Sequence, residues 1–368
     1  NCENARERAG RTVMEHDELV ERSSVVSEDV ECGAQYGALN QRVLPRSVAQ
    51  TPLGAAVAAL VPGLVLVTCV LSASSVGLAA FWKPEVPSLA LAAWKTQTWT
   101  LAVIPMVVFE AARQRAKGVF WTAALREDRR LRWHVFLASC AQMWWSASMM
   151  IALRYTSVSN AFLFNNAHGV ILVVSRLVAG SGIHKQELIG VLLGLLGAVI
   201  AMWTPGERAP NSTFGDAVAL TGSVAGALCV ALTREARDVL PSGVFSLLLN
   251  VLSAPLFLII GLVSPSTYTF SRSPSTGLFG WLAPEMLLFA LFLGGVCGLL
   301  GGSGLIVLFD FLPSLVISLV MLLEPIIGAY LTASLGLTPW PELHSLCGAS
   351  LVIVGIACII TTSSSSLE

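Results

Sequence analysis

Five polar or ionisable residues interrupt long apolar stretches of this chain, namely Lys95, Asn165, Asn166, His168 and Glu324. In such surroundings a carboxylate can bind a proton or a cationic group, and an ammonium can bind a carboxylate or phosphate. Imidazole titrates near neutral pH, so a histidine can also carry a proton. Because a polar side chain is costly inside a bilayer, these residues are expected to face a water-filled cavity or a polar partner.

Each candidate also has a purely structural interpretation. Glu324 could form an ion pair with Lys95, and Lys95 could extend towards the membrane surface. His168 could pack against a neighbouring helix. Four tryptophans could line the cavity and stack on a planar substrate, namely Trp94, Trp99, Trp144 and Trp145. Tryptophan in membrane proteins is more often a packing or interface residue. The candidates for substrate binding or coupling are Glu324, His168, Asn165, Asn166, Lys95, Trp99 and Trp144.

The composition is that of a membrane protein. Of 368 residues, 55% are hydrophobic and 12% are charged, whereas soluble domains average about 25% charged residues. With a net charge of −1 and no basic groove, the chain offers nothing for nucleic acid to bind. The apolar runs are long enough, or nearly so, to cross a bilayer. The predicted spans are 55–78, 89–109, 133–153, 161–177, 188–203, 216–232, 244–263, 286–308, 313–334 and 345–360.

Two segments of the chain, 153–202 and 308–360, resemble each other. Each consists of a polar turn, an apolar helix, a short charged loop and a second apolar helix with two glycines seven residues apart. Repeated apolar helix pairs are typical of secondary transporters built from two homologous halves. The two glycine pairs are Gly190 with Gly197, and Gly348 with Gly355.

The repeat makes the polar centres of the fourth and ninth spans equivalent, because alignment on the glycines places Glu324 opposite Asn166 or His168. Pro325 also frees a backbone carbonyl one turn earlier, which adds an acceptor there. Five spans per half is an odd number, so the second half must enter the bilayer in the opposite orientation. The predicted fold is an all-α integral membrane protein of ten transmembrane helices in two inverted five-helix repeats.

The loop charges predict the orientation. Eleven Lys and Arg residues lie in or beside loops on one side of the ten spans and four on the other, which places both termini in the cytosol. The sequon at Asn211 then lies on the exoplasmic or lumenal side, which is the side on which asparagine-linked glycosylation takes place. The predicted parts are a disordered cytosolic tail (1–53), the first repeat (54–204), the second repeat (205–362) and a short cytosolic C-terminus (363–368).

No pattern in the sequence indicates catalysis or a bound cofactor. It contains no CxxC pair, no metal-ligand spacing and no GxxxxGK[ST] run for an ATPase. His168 and Glu324 resemble an acid–base pair, but no third group is placed to orient them. We therefore expect no cofactor, no metal and no enzymatic activity.

The chain resembles the drug/metabolite transporter superfamily, in its ten-helix EamA-like branch, over roughly residues 55–362. The residues that carry the resemblance are the ALRYTS run at 152–157, Leu323-Glu324-Pro325, and the last span from Gly348 to Gly355. His168-Gly169 stand where the family's fourth span often has a proline matching Pro325, so the two halves need not bend alike.

This resemblance implies a secondary-active carrier of a small organic metabolite or drug-like solute, working by alternating access. The expected partners are the solute, the lipid bilayer, protons as a coupling ion and a second copy of the chain in a homodimer. The alternative is a nucleotide-sugar or sugar-phosphate antiporter of an internal membrane, whose cavity should supply several cations. Only Lys95 lies deep enough for that. The plasma membrane and internal membranes are both compatible with the sequence.

Overall fold

The computed structural model describes residues 52–116, 121–156, 158–180, 185–201, 212–263, 269–312, 314–337 and 340–365. Residues from Ala56 onward form one compact unit. Nearly all of the predicted tail, the sequon at Asn211 and the last three residues lie outside the described residues.

The described part of the chain is helical, and its one β-type contact is an isolated bridge between Thr269 and Gly277. Short 3₁₀ turns occupy Gly280–Leu282 and Pro284–Met286. The α-helices are α1 (Pro52–Ser74), α2 (Val76–Trp82), α3 (Ser88–Ala116), α4 (Trp121–Glu127), α5 (Arg129–Ala152), α6 (Val158–Asn165), α7 (His168–Val178), α8 (Lys185–Ala201), α9 (Ser212–Arg237), α10 (Ser242–Val263), α11 (Leu287–Leu291), α12 (Gly304–Leu308), α13 (Ser314–Val320), α14 (Glu324–Ser334) and α15 (Leu343–Ser365).

Within the described residues, seven helical stretches are long and apolar enough to cross a membrane, judged by length and composition. This is the pattern of a multi-pass membrane protein. They are Leu60–Ala79, Arg129–Ala152, Asn160–Val178, Ser212–Arg237, Ser242–Ile260, Pro284–Leu308 and Ser314–Ser334.

The second, fifth and tenth predicted spans are helical but do not meet the same criteria. Helix α3 is 29 residues long and carries Lys95, Gln97 and Glu110, which lower its hydropathy. Helix α8 has 17 residues, and the apolar part of α15 is a shorter stretch, Leu343–Ile359. The total of ten spans therefore stays a prediction.

Two of the apolar stretches are interrupted at their centres. A turn at Asn166 and Ala167 separates α6 from α7. A 3₁₀ turn, Met321–Leu323, separates α13 from α14. At the first break the side chains of Asn165 and Asn166 donate to other elements, Asn165 to Oγ of Ser148 and Asn166 to the carbonyl oxygen of Met321. The second precedes Pro325, which has no N–H and crowds the preceding turn. Both stretches are thus broken although only one contains proline.

Helices α8 and α15 pack with their backbones in contact through the repeated glycines. A Cβ atom on Gly190 would lie 2.7 Å from the carbonyl oxygen of Gly355, and one on Gly197 would lie 2.5 Å from that of Gly348. The first glycine of each pair thus meets the second glycine of the other pair, so the two helices run antiparallel. Small residues permit this close approach and the dispersion contacts that follow from it.

The glycine-rich eighth span is wound as a π-helix over Phe292–Ser303, between α11 and α12. Its glycine face packs on α3, since Cβ atoms on Gly298 and Gly302 would collide with the indole of Trp99. A Cβ on Gly294 would lie 2.6 Å from the carbonyl oxygen of Thr98. Glycine at these positions therefore makes room for α3.

Candidate functional site

A cavity lies among the broken helices and the helices around them. It encloses about 900 Å³ of empty space, part of which is open to solvent. Its walls come from α3, α5, α6, α9, the π-helical stretch and the turn before α14, among other elements. Five of the seven residues predicted to bind substrate line it, and these are Lys95, Trp99, Asn165, Asn166 and Glu324.

Lys95 and Glu324 contribute opposite charges to this cavity. Glu324 begins α14 and its residue surface is 8% exposed. The charge of Lys95 acts on the Glu324 carboxylate, but no ion pair within 4.0 Å joins the two residues in the described structure. The ammonium and the carboxylate therefore face the same space at a distance.

Asn166 connects the two helix breaks. Its Nδ2 donates to the carbonyl oxygen of Met321 at 3.3 Å, and its amide also hydrogen bonds with the Glu324 carboxylate. Met321 is the residue whose carbonyl would accept from position 325 in an unbroken helix, and Pro325 has no N–H to donate. The same carbonyl accepts the backbone N–H of Glu324 in the 3₁₀ turn. The carbonyl of Met321 thus accepts two hydrogen bonds, one within its own turn and one from the polar centre of the other span.

Asn165 holds α6 against its neighbours. Its Nδ2 donates to Oγ of Ser148 on α5 at 3.0 Å and lies 3.4 Å from the carbonyl oxygen of Ala219 on α9. Gly222 leaves the room for this arrangement, because a Cβ there would collide with Ser148 and Asn165. Asn165 therefore lines the cavity and also ties three helices together.

His168 and Trp144 do not line the cavity. His168 is fully buried at the start of α7, with its ring centroid 5.2 Å from that of Trp145 in an edge-to-face contact. Trp144 is 38% exposed and donates its Nε1 hydrogen to Oγ1 of Thr221 at 3.1 Å. On α5 the indole that lines the cavity belongs to Trp145. Helix rotation explains the difference, since neighbouring residues on α5 point about 100° apart.

Other lining residues gave weaker signals in the sequence. Gln142 is an amide in the middle of the third span, and the criterion that selected Lys95 would have selected it too. Its Oε1 accepts a weak hydrogen bond from Sγ of Cys229 at 3.5 Å. Met149, Met321 and Phe162 also line the cavity, but they look like any other apolar residue of a span. Only the packing identifies these three.

A charged cluster lies beside Phe309, which lines the cavity. The Arg237 guanidinium donates to both carboxylate oxygens of Asp310, at 2.6 and 2.8 Å, and also to the carbonyl oxygen of Leu240. Arg234 donates to the carbonyl oxygen of Phe309 at 2.6 Å. Burial raises the pKa of Asp310, while the charge of Arg237 acts to lower it.

Glu110 supports the same end of the helices. Its carboxylate accepts the backbone N–H groups of Gly243 and Val244, at 2.9 to 3.2 Å. These N–H groups belong to the first turn of α10 and have no partner within the helix. A carboxylate at that position also interacts favourably with the helix dipole. Glu110 thereby joins the end of α3 to the start of α10.

No family model and no curated protein matches this chain. Among solved structures, one described only as the crystal structure of a protein aligns with 83% of this chain and 98% of its own length. The TM-score is 0.61 at 19% sequence identity. At this identity the likeness concerns the fold alone.

Proposed function

We propose that this chain is a secondary-active transporter that moves a small organic metabolite or drug-like solute across a membrane by alternating access. We assign it to the EamA-like branch of the drug/metabolite transporter superfamily. One observation carries the proposal: a cavity with a buried carboxylate lies where two apolar helices are broken at equivalent positions of a repeat. Transporter binding sites commonly lie at such discontinuous helices, near the bilayer midplane.

The glycine contacts support an inverted pair of five-helix repeats. Under a two-fold relation, residue i of one copy contacts residue j of the other, and j contacts i. The contacts of Gly190 with Gly355 and of Gly197 with Gly348 follow this rule. Helix α3 packs on the π-helical stretch as α10 packs on α5, and these are equivalent contacts when the halves are exchanged. We therefore retain ten spans with both termini in the cytosol as the proposed topology.

The broken helices provide the moving parts. Each half of an interrupted helix can tilt without disrupting a continuous hydrogen-bond ladder. The link between Asn166 and Met321 joins the two breaks at the cavity, so that a change on one side reaches the other. The Glu324 carboxylate can bind a proton or a cationic group of the solute. We propose that this exchange couples solute movement to a proton gradient.

The cavity favours this function over the two alternatives. A nucleotide-sugar or sugar-phosphate carries one or more negative charges and requires several cations. Lys95 is the single Lys or Arg among the described lining residues, and Glu324 opposes it. A membrane-embedded enzyme using His168 with Glu324 would need both at the substrate, and His168 is enclosed behind the cavity wall.

The test is solute movement in sealed vesicles. The purified full-length chain is reconstituted in liposomes, and uptake and counterflow are followed across a panel of labelled metabolites, with protein-free liposomes as the control. We expect at least one solute to accumulate, and a pH gradient to increase its uptake. Chemical conversion of a solute without net movement would overturn the transporter assignment.

A further inference from the structure

Basic residues are concentrated in the segment that joins α3 to α5. Residues 113–132 contain seven Lys and Arg residues and two acidic ones, Glu127 and Asp128. Asp128 is already engaged, because its Oδ1 accepts the backbone N–H groups of Arg130 and Leu131 at the start of α5. The segment therefore presents a surplus of positive charge beside α5.

Four exposed arginines fall within seven residues at the junction of α4 and α5, and they differ in their partners. They are Arg126, Arg129, Arg130 and Arg132. The Arg130 guanidinium lies 3.4 Å from the carboxylate of Glu235 on α9. Arg132 donates to two carbonyl oxygens at the end of α4. In the described structure no ion pair or hydrogen bond involves the guanidinium of Arg126 or of Arg129. Two guanidinium groups are thus available to an anion from outside the chain.

The face of α5 that begins with Arg129 continues with exposed apolar side chains. Trp133, Phe136 and Leu137 follow on the same face, one and two turns later, and each is at least 42% exposed. The rings of Trp133 and Phe136 meet edge to face, with centroids 5.7 Å apart. An arginine followed by an aromatic pair on one exposed helix face is typical of the bilayer surface, where tryptophan lies at the level of the headgroups.

The position of Arg129 along α5 suits a lipid phosphate. Helix α5 is long and apolar enough to cross a membrane, and Arg129 is its first residue. Four residues separate Arg129 from Trp133, which corresponds to about 6 Å along the helix axis. With Trp133 at the boundary between acyl chains and headgroups, the long side chain of Arg129 reaches the phosphate layer. A guanidinium binds phosphate through two parallel hydrogen bonds.

We infer that the junction of α4 and α5 binds an anionic phospholipid. Arg126 and Arg129 hold the headgroup phosphate, and an acyl chain lies along Trp133, Phe136 and Leu137. A zwitterionic phospholipid also has a phosphate, but its own cationic group is repelled by the arginines. Clusters of Lys and Arg beside a spanning helix are typical of sites for anionic lipids. This inference goes beyond the proposed transport function and does not depend on it, because lipid binding is measured without a solute.

Two lipids that differ only in the headgroup test the inference on the unaltered protein. Dioleoylphosphatidylglycerol carries a net negative charge, whereas dioleoylphosphatidylcholine has the same acyl chains and no net charge. The purified full-length chain in detergent is mixed with equal amounts of both, and the bound lipids are counted by native mass spectrometry. We expect phosphatidylglycerol to be bound about tenfold more often than phosphatidylcholine, and this preference to fall as salt is added.

The outcome distinguishes lipid binding from two simpler roles of the arginines. Arginines in a loop also orient a span during insertion, which needs no bound lipid. Equal occupancy by the two lipids would leave only that role and would refute the inference. Soluble glycerol 3-phosphate carries the phosphate without acyl chains, so we expect it not to displace phosphatidylglycerol. Displacement at equal concentration would show a site for free phosphate instead of lipid.

Variants assign the preference to the two available arginines. Arg126→Gln and Arg129→Gln should each lower the preference for phosphatidylglycerol about fivefold, and Arg129→Lys should retain most of it because the charge remains. The matched control is Arg272→Gln, which alters an exposed arginine between α10 and α11 and should change nothing. Trp133→Ala should weaken both lipids alike and leave their ratio unchanged.

Thermal unfolding without added lipid verifies that each variant is folded. An unchanged preference in a folded variant that carries both Arg126→Gln and Arg129→Gln would overturn the inference. An equal fall in the Arg272→Gln control would do the same, since it would show that the preference follows total charge and not this junction.

Discussion

Replacing Gly197 with alanine is expected to force α8 and α15 apart. The added methyl group would lie 2.5 Å from the carbonyl oxygen of Gly348, 2.8 Å from Cβ of Leu351 and 2.8 Å from the backbone nitrogen of Val352. Two of these atoms belong to the backbone, so no side-chain rotation relieves the contact. Ordinary van der Waals contact begins at 3.4 Å rather than 2.5 Å, which requires the carbonyl to move back by 0.9 Å.

The cost follows from two opposing effects. Overpacking of a tight contact costs about 1–3 kcal/mol, and alanine stabilises a helix over glycine by up to about 1 kcal/mol. Separating the helices also weakens the dispersion contacts between Gly190 and Gly355 on the same face. We therefore expect a net loss of about 1–2 kcal/mol of stability.

Gly63→Ala provides the matched control. Gly63 lies in α1 and a Cβ there would meet nothing within 4 Å, so this change brings only the gain in helix propensity. Thermal unfolding in detergent, followed by tryptophan fluorescence, should show Gly197→Ala unfolding at a lower temperature than Gly63→Ala. If Gly197→Ala is as stable as the control, the two backbones do not meet at this glycine and the reasoning fails.

A double variant tests whether both halves of the contact respond to one separation. A Cβ on Gly348 would collide with the carbonyl oxygen of Gly197 and with the backbone of Ala201. Once the helices have moved apart for one methyl group, the second costs less. Gly197→Ala combined with Gly348→Ala should therefore lose less stability than the two single changes added together. Simple additivity would indicate two independent local effects.

Four further changes test other parts of the structure. Arg237→Met should destabilise the protein by about 3 kcal/mol at neutral pH. In this variant Asp310 is buried without its partner, so its pKa in the folded protein lies above its pKa in the unfolded chain. The stability lost at neutral pH should therefore be regained as the pH falls through the folded-state pKa and the carboxylate takes up a proton. Asp310→Asn should also lose stability at neutral pH, because the guanidinium of Arg237 stays charged without its partner. This loss should shrink in acid as well, because Asp310 of the unaltered protein is then protonated too; thermal unfolding across the pH range measures both losses. Asn166→Leu should cost about 1 kcal/mol in the same assay, because the carbonyl of Met321 loses one of its two donors. Glu324→Gln should abolish proton-driven uptake in liposomes and leave solute exchange measurable, and full pH-driven uptake by this variant would make Glu324 a structural residue.

The sequence was informative about features that depend on a residue and its immediate neighbours in the chain. Pro325 lacks an N–H whatever surrounds it, so the helix break before it and the freed carbonyl of Met321 were predictable. The repeated glycines likewise indicated a close helix contact, which the structure places between α8 and α15. The break at Asn166 was not anticipated, because the comparison with Pro325 considered proline alone.

The sequence was less informative about which side chains line the cavity, because that depends on how each helix is rotated about its axis. Trp144 and Trp145 are equivalent in type and depth, yet Trp145 forms the cavity wall and Trp144 faces outward towards Thr221. His168 has the polarity of a cavity residue, but it lies behind Trp145. Arg237 and Asp310 are 73 residues apart and looked like separate loop charges until packing joined them.

The sequence by itself determined the apolar helices, the glycine faces and the local helix break at Pro325, because these depend on hydropathy, side-chain size and the chemistry of proline. Only the tertiary structure decided which polar groups share one cavity and which are already paired. Lys95 and Glu324 line one cavity without forming an ion pair, whereas two hydrogen bonds join Arg237 to Asp310. The distance between groups on different helices depends on the rotation, crossing and breaks of those helices, which many weak contacts set together.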